Sequence, residues 1–252
     1  MSNTFKWIPF QSVAPIVLLN DAYPDYPFFS GSGFFVEFSP YDSIFFVTAR
    51  HCIFNEDNSL KGDIQISWHT SQNLSEPVPF SKCMIAKTKN SSGFFEDICV
   101  FVVGSIASEK AQFLKNRSLK IQHQENVDLL LQHIEHAKEN LRIVGFPSCS
   151  KEIDYDSQKS WATPRGIYGK IVVGSLRDDE YEMSDLNWRG GELDGFSGSP
   201  VLALCRDLSG NVVAVPVGIV VRGSSKKFTA ININVVTNLI ASWLRGEAID
   251  LS

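Results

Sequence analysis

Short apolar or alternating runs recur along this chain, and Gly, Pro, Asn or Asp separate them. Period-two alternation and brief apolar stretches bounded by turn residues are strand signals. They predict strands over Ala14–Leu19, Gly33–Phe38, Ser43–Thr48, Asp63–Trp68, Lys82–Ala86 and Ile98–Val103. After a gap, further strands are predicted over Leu141–Gly145, Gly166–Val173, Pro200–Leu204, Val212–Val221 and Phe228–Ile233. Many are rich in Val, Ile and Phe, whose side chains pack well on a pleated surface. The pattern points to an all-β sandwich or barrel arrangement. No parallel βαβ rhythm and no internal repeat is visible.

Two segments depart from the strand pattern. Residues 106–140 carry few breakers and read as helical, above all Val127–Leu141, where Leu130, Ile134, Ala137 and Leu141 recur at helical spacing. Asn234–Arg245 is the second, with Val235, Leu239, Ile240, Trp243 and Leu244 on one apolar face, as expected of a C-terminal helix packed on a barrel. The domain plan is therefore strands over 1–105, a helical linker over 106–140, and strands with a terminal helix over 141–252.

Composition narrows the function classes. The chain has 252 residues, 44% of them hydrophobic and 20% charged, enough apolar surface to build a core. The net charge of −5 leaves no basic footprint at the level of the whole chain, so nucleic acid is not an expected partner. No apolar run reaches the ~18 residues of a membrane span, so no membrane is expected either. The first residues lack a basic stretch followed by an apolar one, and Pro9 and Gln11 interrupt them, which is unlike a signal peptide. A cytoplasmic location is the expectation. Cysteines stand at 52, 83, 99, 149 and 205, odd in number, widely spaced and without C-x-x-C. That pattern fits free thiols rather than a disulfide framework or zinc site, and no metal or cofactor is expected.

Three segments carry chemistry. Phe45-Phe46-Val47-Thr48-Ala49-Arg50-His51-Cys52 is a strand running into a His, and Phe94-Phe95-Glu96-Asp97-Ile98-Cys99-Val100 sets an acid at the start of an apolar strand. In Asp194-Gly195-Phe196-Ser197-Gly198-Ser199-Pro200-Val201 a Ser stands in a Gly-flanked turn. A hydroxyl is a poor nucleophile at neutral pH and needs a base within hydrogen-bond reach, for which imidazole has the right basicity. The imidazole in turn needs a carboxylate to fix its tautomer and stabilise its cation. Glycines beside the Ser let backbone N–H groups converge where an oxyanion would develop. Asp97 directly precedes the apolar run, and Glu96 is its rival for the carboxylate role. The order is unlike an α/β-hydrolase, because Ser rather than Gly stands at 199 and no His follows 136. His133-Ile-Glu-His136 lacks the H-E-x-x-H spacing and, with His123, reads as a solvated helix face; His69 falls in a loop.

The order His–Asp–Ser, with Thr48-Ala-Arg-His-Cys52 and Gly195-Phe-Ser-Gly-Ser-Pro200, resembles the chymotrypsin-like serine endopeptidases. The resemblance covers roughly Gly31 to Leu244. It implies two antiparallel six-stranded barrels with the site in the groove between them. It implies His51 as general base and later acid, Asp97 as its orienting carboxylate and Ser197 as nucleophile, with the backbone N–H groups of Gly195 and Ser197 as oxyanion hole. Gly31-Ser32-Gly33-Phe34-Phe35-Val36 resembles the family's strand ahead of the His.

The departures from the family carry their own implications. Phe196 stands where the animal digestive enzymes have an Asp that receives a new N-terminal amine, so activation by N-terminal cleavage is not expected. Gly31–Gly33 lacks the partner of the Cys after the His, so Cys52 is expected to be a free thiol. These traits resemble the bacterial glutamyl-endopeptidase-like and HtrA-like branches, and Val217-Gly-Ile-Val with Ala230-Ile-Asn-Ile is similar to the former.

By family position Glu192–Asp194 and Ile219–Gly223 border the substrate pocket, so Glu192, Asp194, Ile219, Val220, Val221 and Gly223 are the expected substrate-binding residues. Val220 stands where glutamyl endopeptidases place a His, so glutamate preference does not carry over. Glu192 would favour basic substrates, Lys226 and Lys227 acidic ones, and the strand itself an apolar side chain. Gly223 is expected to let a substrate strand pair with the backbone. The resemblance implies an intracellular serine endopeptidase acting on a protein or peptide, with a regulatory partner or a switch in the polar segments Ser150–Ser160 and Arg177–Gly191. The competing expectation is a peptide-binding module on the same fold.

Overall fold

The computed structural model describes residues 8–20, 23–39, 41, 43–69, 75–86, 97–121, 126–156, 159–177, 179–224 and 226–246. The chain is mostly β. In the first half, a short helix α1 (Ile8–Ser12) leads into β1 (Val13–Asn20), β2 (Tyr23–Phe38), β3 (Ser43–Ala49), β4 (Asp63–Gln65), β5 (Ser67–His69), β6 (Ser75–Pro77), β7 (Phe80–Ile85) and β8 (Ile98–Val103). Helix α2 (Ser108–Arg117), β9 (Leu119–Ile121) and α3 (Val127–Ala137) follow. The second half holds β10 (Leu141–Gly145), β11 (Lys151–Asp154), β12 (Lys159–Ala162), β13 (Arg165–Ile171), β14 (Glu180–Ser184), β15 (Pro200–Arg206), β16 (Val212–Gly223), β17 (Phe228–Asn232) and α4 (Ile233–Leu244).

The second half closes. Strands β10-β13-β14-β17-β16-β15 form a barrel, every neighbour antiparallel. Closure removes edge strands and buries the inward side chains. Both faces of the wall are covered in places: Ala230 and Ile231 are neighbours on β17 that point to opposite faces, and both are fully buried. The first half is a seven-stranded sheet in the order β4-β1-β2-β3-β8-β7, with β9 added in parallel to β2. Its pairing does not close among the described residues, where the resemblance implied a second barrel.

The middle of the first sheet explains its non-alternating sequence. Residues Ile44–Ala49 of β3 are all buried, so both faces of the strand are covered. Phe46 stacks at a tilt on Phe35 and Phe80, with ring centroids 5.0 and 5.9 Å away, and Phe45 meets Trp243 of α4 edge-on at 5.8 Å. A strand covered on both faces loses the period of two and reads as a continuous apolar run.

Several boundaries differ from expectation. The predicted strand Asp63–Trp68 is two, interrupted at the buried Ile66, whose carbonyl accepts from Val78 N–H at 2.8 Å. The 106–140 segment holds two helices with a strand between them. Helix α3 buries Val127, Leu131 and Ile134, whereas Ala137 is exposed and Leu141 already belongs to β10. Helix α4 buries Ile233, Val236, Thr237, Ile240 and Ala241, while Val235, Leu239, Trp243 and Leu244 are half-buried, so its buried face is turned from the predicted one. Strands β11 and β12 pair as a hairpin within Ser150–Ser160 and just beyond, and β14 lies within Arg177–Gly191. Neither polar segment is therefore a continuous loop. Among the described residues, no helix is long and apolar enough to cross a membrane. The five cysteines are free thiols, and the Cys83 and Cys99 sulfurs stand 3.1 Å apart between β7 and β8.

Candidate active site

Strand register brings the first two site residues together. β3 pairs antiparallel with β8, Ala49 opposite Ile98, so the residues just past this pair on each strand are neighbours. On β3 the chain continues into a 3-10 turn, Arg50–Cys52, and Asp97 directly precedes Ile98. The His51 Nδ1–H donates to Asp97 Oδ2 at 2.8 Å and Oδ1 at 2.9 Å, and the His51 backbone N–H donates to Oδ1 at 2.9 Å. The carboxylate thus holds the ring and the turn that carries it. Burial of the ring pulls its pKa down, but the hydrogen bond to Asp97, reinforced by the Cys52 sulfur, outweighs that and raises it from 6.5 to about 10.

Ser197 lies on the other half of the molecule, in the turn before β15. The turn is stitched to β16 by Gly198 N–H to the Val220 carbonyl at 2.7 Å and Val220 N–H to the Ser199 carbonyl at 2.9 Å. It is stitched to the first sheet by Ser32 N–H to the Ser197 carbonyl at 2.9 Å. Gly195 has φ +90° and Gly198 +83°, left-handed conformations that side-chain-bearing residues rarely adopt. A side chain at Gly198 would also collide with the Ser32 carbonyl and the Thr48 hydroxyl. Among the described residues, nothing accepts a hydrogen bond from Gly195 N–H or Ser197 N–H.

The peptide groups around Gly195 are pinned through their carbonyls. The Asp194 carbonyl accepts from Ser148 N–H at 2.8 Å. The Gly195 carbonyl accepts from Ser32 Oγ at 2.7 Å. Ser32 is fully buried; its hydroxyl also accepts from Phe146 N–H at 2.8 Å, and its carbonyl accepts from Thr48 Oγ1 at 2.7 Å. Phe196 is buried too, edge-on to Trp188 at 5.5 Å and to Phe228 at 5.7 Å. Its ring fills apolar space below the turn, where the resemblance places an Asp.

His51, Asp97, Gly195 and Ser197 line one cleft of about 610 Å³ with Ser30, Arg50, Ser148, Leu193, Asp194, Val221, Arg222 and Gly223. Of the expected substrate-binding residues, Asp194, Val221 and Gly223 lie on it. Glu192 is exposed outside its lining. Ile219 and Val220 are fully buried in β16 and stand outside its lining. Lys227 pairs with Glu182 at 2.9 Å. Sequence reasoning gave no role to Ser32, Arg50, Ser148, Lys151 or Arg222, although Ser32, Arg50, Lys151 and Arg222 lay within segments already singled out; only the tertiary contacts set Ser32 and Lys151 against Gly195. No hydrogen bond joins Ser197 Oγ to His51 in this structure.

Glu96, His123 and the side chain of His69 lie outside the described residues. His133 and His136 are exposed on α3. Among the described residues, no group of three or more His, Cys, Asp or Glu is placed to hold a metal. In comparison with known proteins, no family model and no curated protein matches this chain.

Proposed function

We propose that this chain is a serine endopeptidase of the chymotrypsin-like kind, its first sheet an open counterpart of the closed barrel and its substrate held between them. The observation that carries the reading is the convergence in one cleft of the His51–Asp97 pair, Ser197, and two unengaged N–H groups beside it. Ser197 Oγ attacks the scissile carbonyl while His51 Nε2 takes its proton. Asp97 keeps Nδ1 protonated and stabilises the imidazolium. The N–H groups of Gly195 and Ser197 receive the developing oxyanion. Collapse expels the amine, which takes the proton back from His51, and water then hydrolyses the acyl-enzyme by the same relay. No step needs a metal or cofactor. The reading also includes a bacterial, cytoplasmic setting, a protein or peptide substrate, and a partner that restrains or releases activity.

A second reading, a peptide-binding module without hydrolysis, is favoured by one observation, the missing hydrogen bond between Ser197 and His51. A fluorophosphonate probe separates the two. Labelling of the wild type, absent in Ser197→Ala and strongly reduced in His51→Ala, supports the hydrolase. A wild type that stays unlabelled while peptides bind the cleft supports the module.

A further inference from the structure

Lys151 opens β11 beside the turn that carries Ser197. Among the described residues its Nζ has one hydrogen bond, a long one of 3.4 Å to the Gly31 carbonyl, and it lies 5.4 Å from the centroid of the Phe29 ring. Among the described residues, no carboxylate pairs with it. Burial has stripped enough water from this ammonium to lower its pKa to about 8. A dehydrated cation with a single weak acceptor is a cost that a hydrogen-bonded carboxylate would offset.

The position decides where that carboxylate comes from. A methyl group placed on Gly195 would sit 2.9 Å from Lys151 Nζ and equally 2.9 Å from Ser148 N. Gly195 and Ser148 line the cleft, so the ammonium stands one side chain's reach from the oxyanion turn. Leu193 and the β16 edge at Gly223 are neighbours in the lining, a Cβ on Gly223 falling 3.2 Å from Leu193 Cβ, and the acyl part of a substrate strand would pair there. Lys151 is outside the lining; its Nζ stands against Gly31, next to Ser30, and beside Ser148, and Ser30 and Ser148 both line the cleft. Of the charged groups lining the cleft, Arg50 and Arg222 stand against the exposed Asp194, while Asp97 is taken up by His51.

Resting on the hydrolase reading, we infer that the cleft selects acidic peptides, and that Lys151 receives an Asp or Glu side chain from the segment leaving with the amine, within two residues of the cleaved bond. Such a contact is a charge-assisted hydrogen bond in partly dehydrated surroundings, the kind that discriminates by about ten- to a hundredfold.

The test is digestion of a degenerate peptide mixture by the wild type, Lys151→Met, Lys151→Arg and Lys151→Glu, with every cut sequenced by mass spectrometry and each variant's melting temperature measured. The expected result is enrichment of Asp and Glu at the first or second residue after the cut, lost in Lys151→Met, kept in Lys151→Arg and turned toward Lys and Arg in Lys151→Glu. Cleavage with no acidic enrichment, or with the same enrichment in Lys151→Met, overturns the inference and leaves the hydrolase reading standing. No cleavage of any peptide, together with no fluorophosphonate labelling, overturns both.

Discussion

The Ser32 hydroxyl donates a 2.7 Å hydrogen bond to the Gly195 carbonyl, 163 residues further along the chain. The two residues belong to different halves of the molecule, β2 and the turn before β15. Because the same oxygen accepts from Phe146 N–H, one buried atom ties the first sheet, the end of β10 and the Gly195–Ser197 turn together. Removing it with Ser32→Ala takes the partner from the half-buried Gly195 carbonyl and from the buried Phe146 N–H, at about 1–3 kcal/mol. The expected outcome is a kcat lowered about ten- to a hundredfold with KM little changed, since the turn is misplaced while the substrate-pairing edge is untouched. Steady-state kinetics alongside thermal melting checks this; a stability loss with kcat unchanged would assign Ser32 to structure alone.

Asp97→Asn removes the carboxylate that receives three hydrogen bonds from His51. The amide can donate as well as accept, so the imidazole loses its enforced tautomer and its counter-charge. On the hydrolase reading a loss of about 10⁴-fold in kcat is expected, by analogy with the same exchange in enzymes with a Ser–His–Asp triad. Progress curves on any cleaved peptide measure it, and a loss under tenfold would move the carboxylate role elsewhere.

The raised pKa of His51 has two consequences of opposite sense. A general base must be neutral, so kcat/KM is expected to rise with pH along a limb lying above 6.5 and to move toward acid in Asp97→Asn. Stability runs the other way. The protonated ring is favoured in the folded state, so its contribution is full below about 6.5 and is lost as pH climbs through about 10. Denaturant midpoints across that window should fall more in the wild type than in Asp97→Asn.

Phe196→Ala should destabilise by about 3–5 kcal/mol, because the ring is fully buried between Trp188 and Phe228 and its loss opens a cavity directly beneath the turn. Phe196→Leu should cost less, since it refills most of the volume. Urea midpoints separate the two. Equal midpoints for the wild type and Phe196→Ala would show that the turn does not rest on this ring.

Gly195→Ala places a methyl group 2.5 Å from the Phe146 carbonyl oxygen and 2.9 Å from Lys151 Nζ and Ser148 N, at φ +90°. The lysine can move and the backbone cannot, so the turn has to rearrange and its N–H leaves its position. Loss of one oxyanion donor is worth about 10²–10³ in kcat. Labelling rates with the fluorophosphonate should fall in step with kcat.

Much of the plan was legible in the chain itself. Strands such as β8 and β10 begin and end where their apolar runs do, because those runs meet turn residues at both ends. His51, Asp97, Gly195 and Ser197 were recognisable because short-range chemistry marks them: an acid at a strand start, and a Ser between glycines that must adopt positive φ. Strands β9 and β14 were missed for the same reason in reverse. β9 is three residues long and exists only by lying against β2, and β14 is mostly polar, with Tyr181 and Met183 alone turned inward. The face of α4 was also misjudged, since what it packs against, not its own periodicity, decides which apolar residues are covered.

By itself, then, the sequence determined the strand-rich character of the chain and singled out His51, Asp97 and Ser197 as candidate site residues, because both follow from local residue patterns. Only the tertiary structure decided that one half closes and the other stays open among the described residues. It also buried Ile219 and Val220 away from the cleft and set Ser32 under Gly195 and Lys151 beside it. Ser32 and Gly195 stand 163 positions apart, and Lys151 and Gly31 120, so pairing between distant segments, not local pattern, creates these relationships.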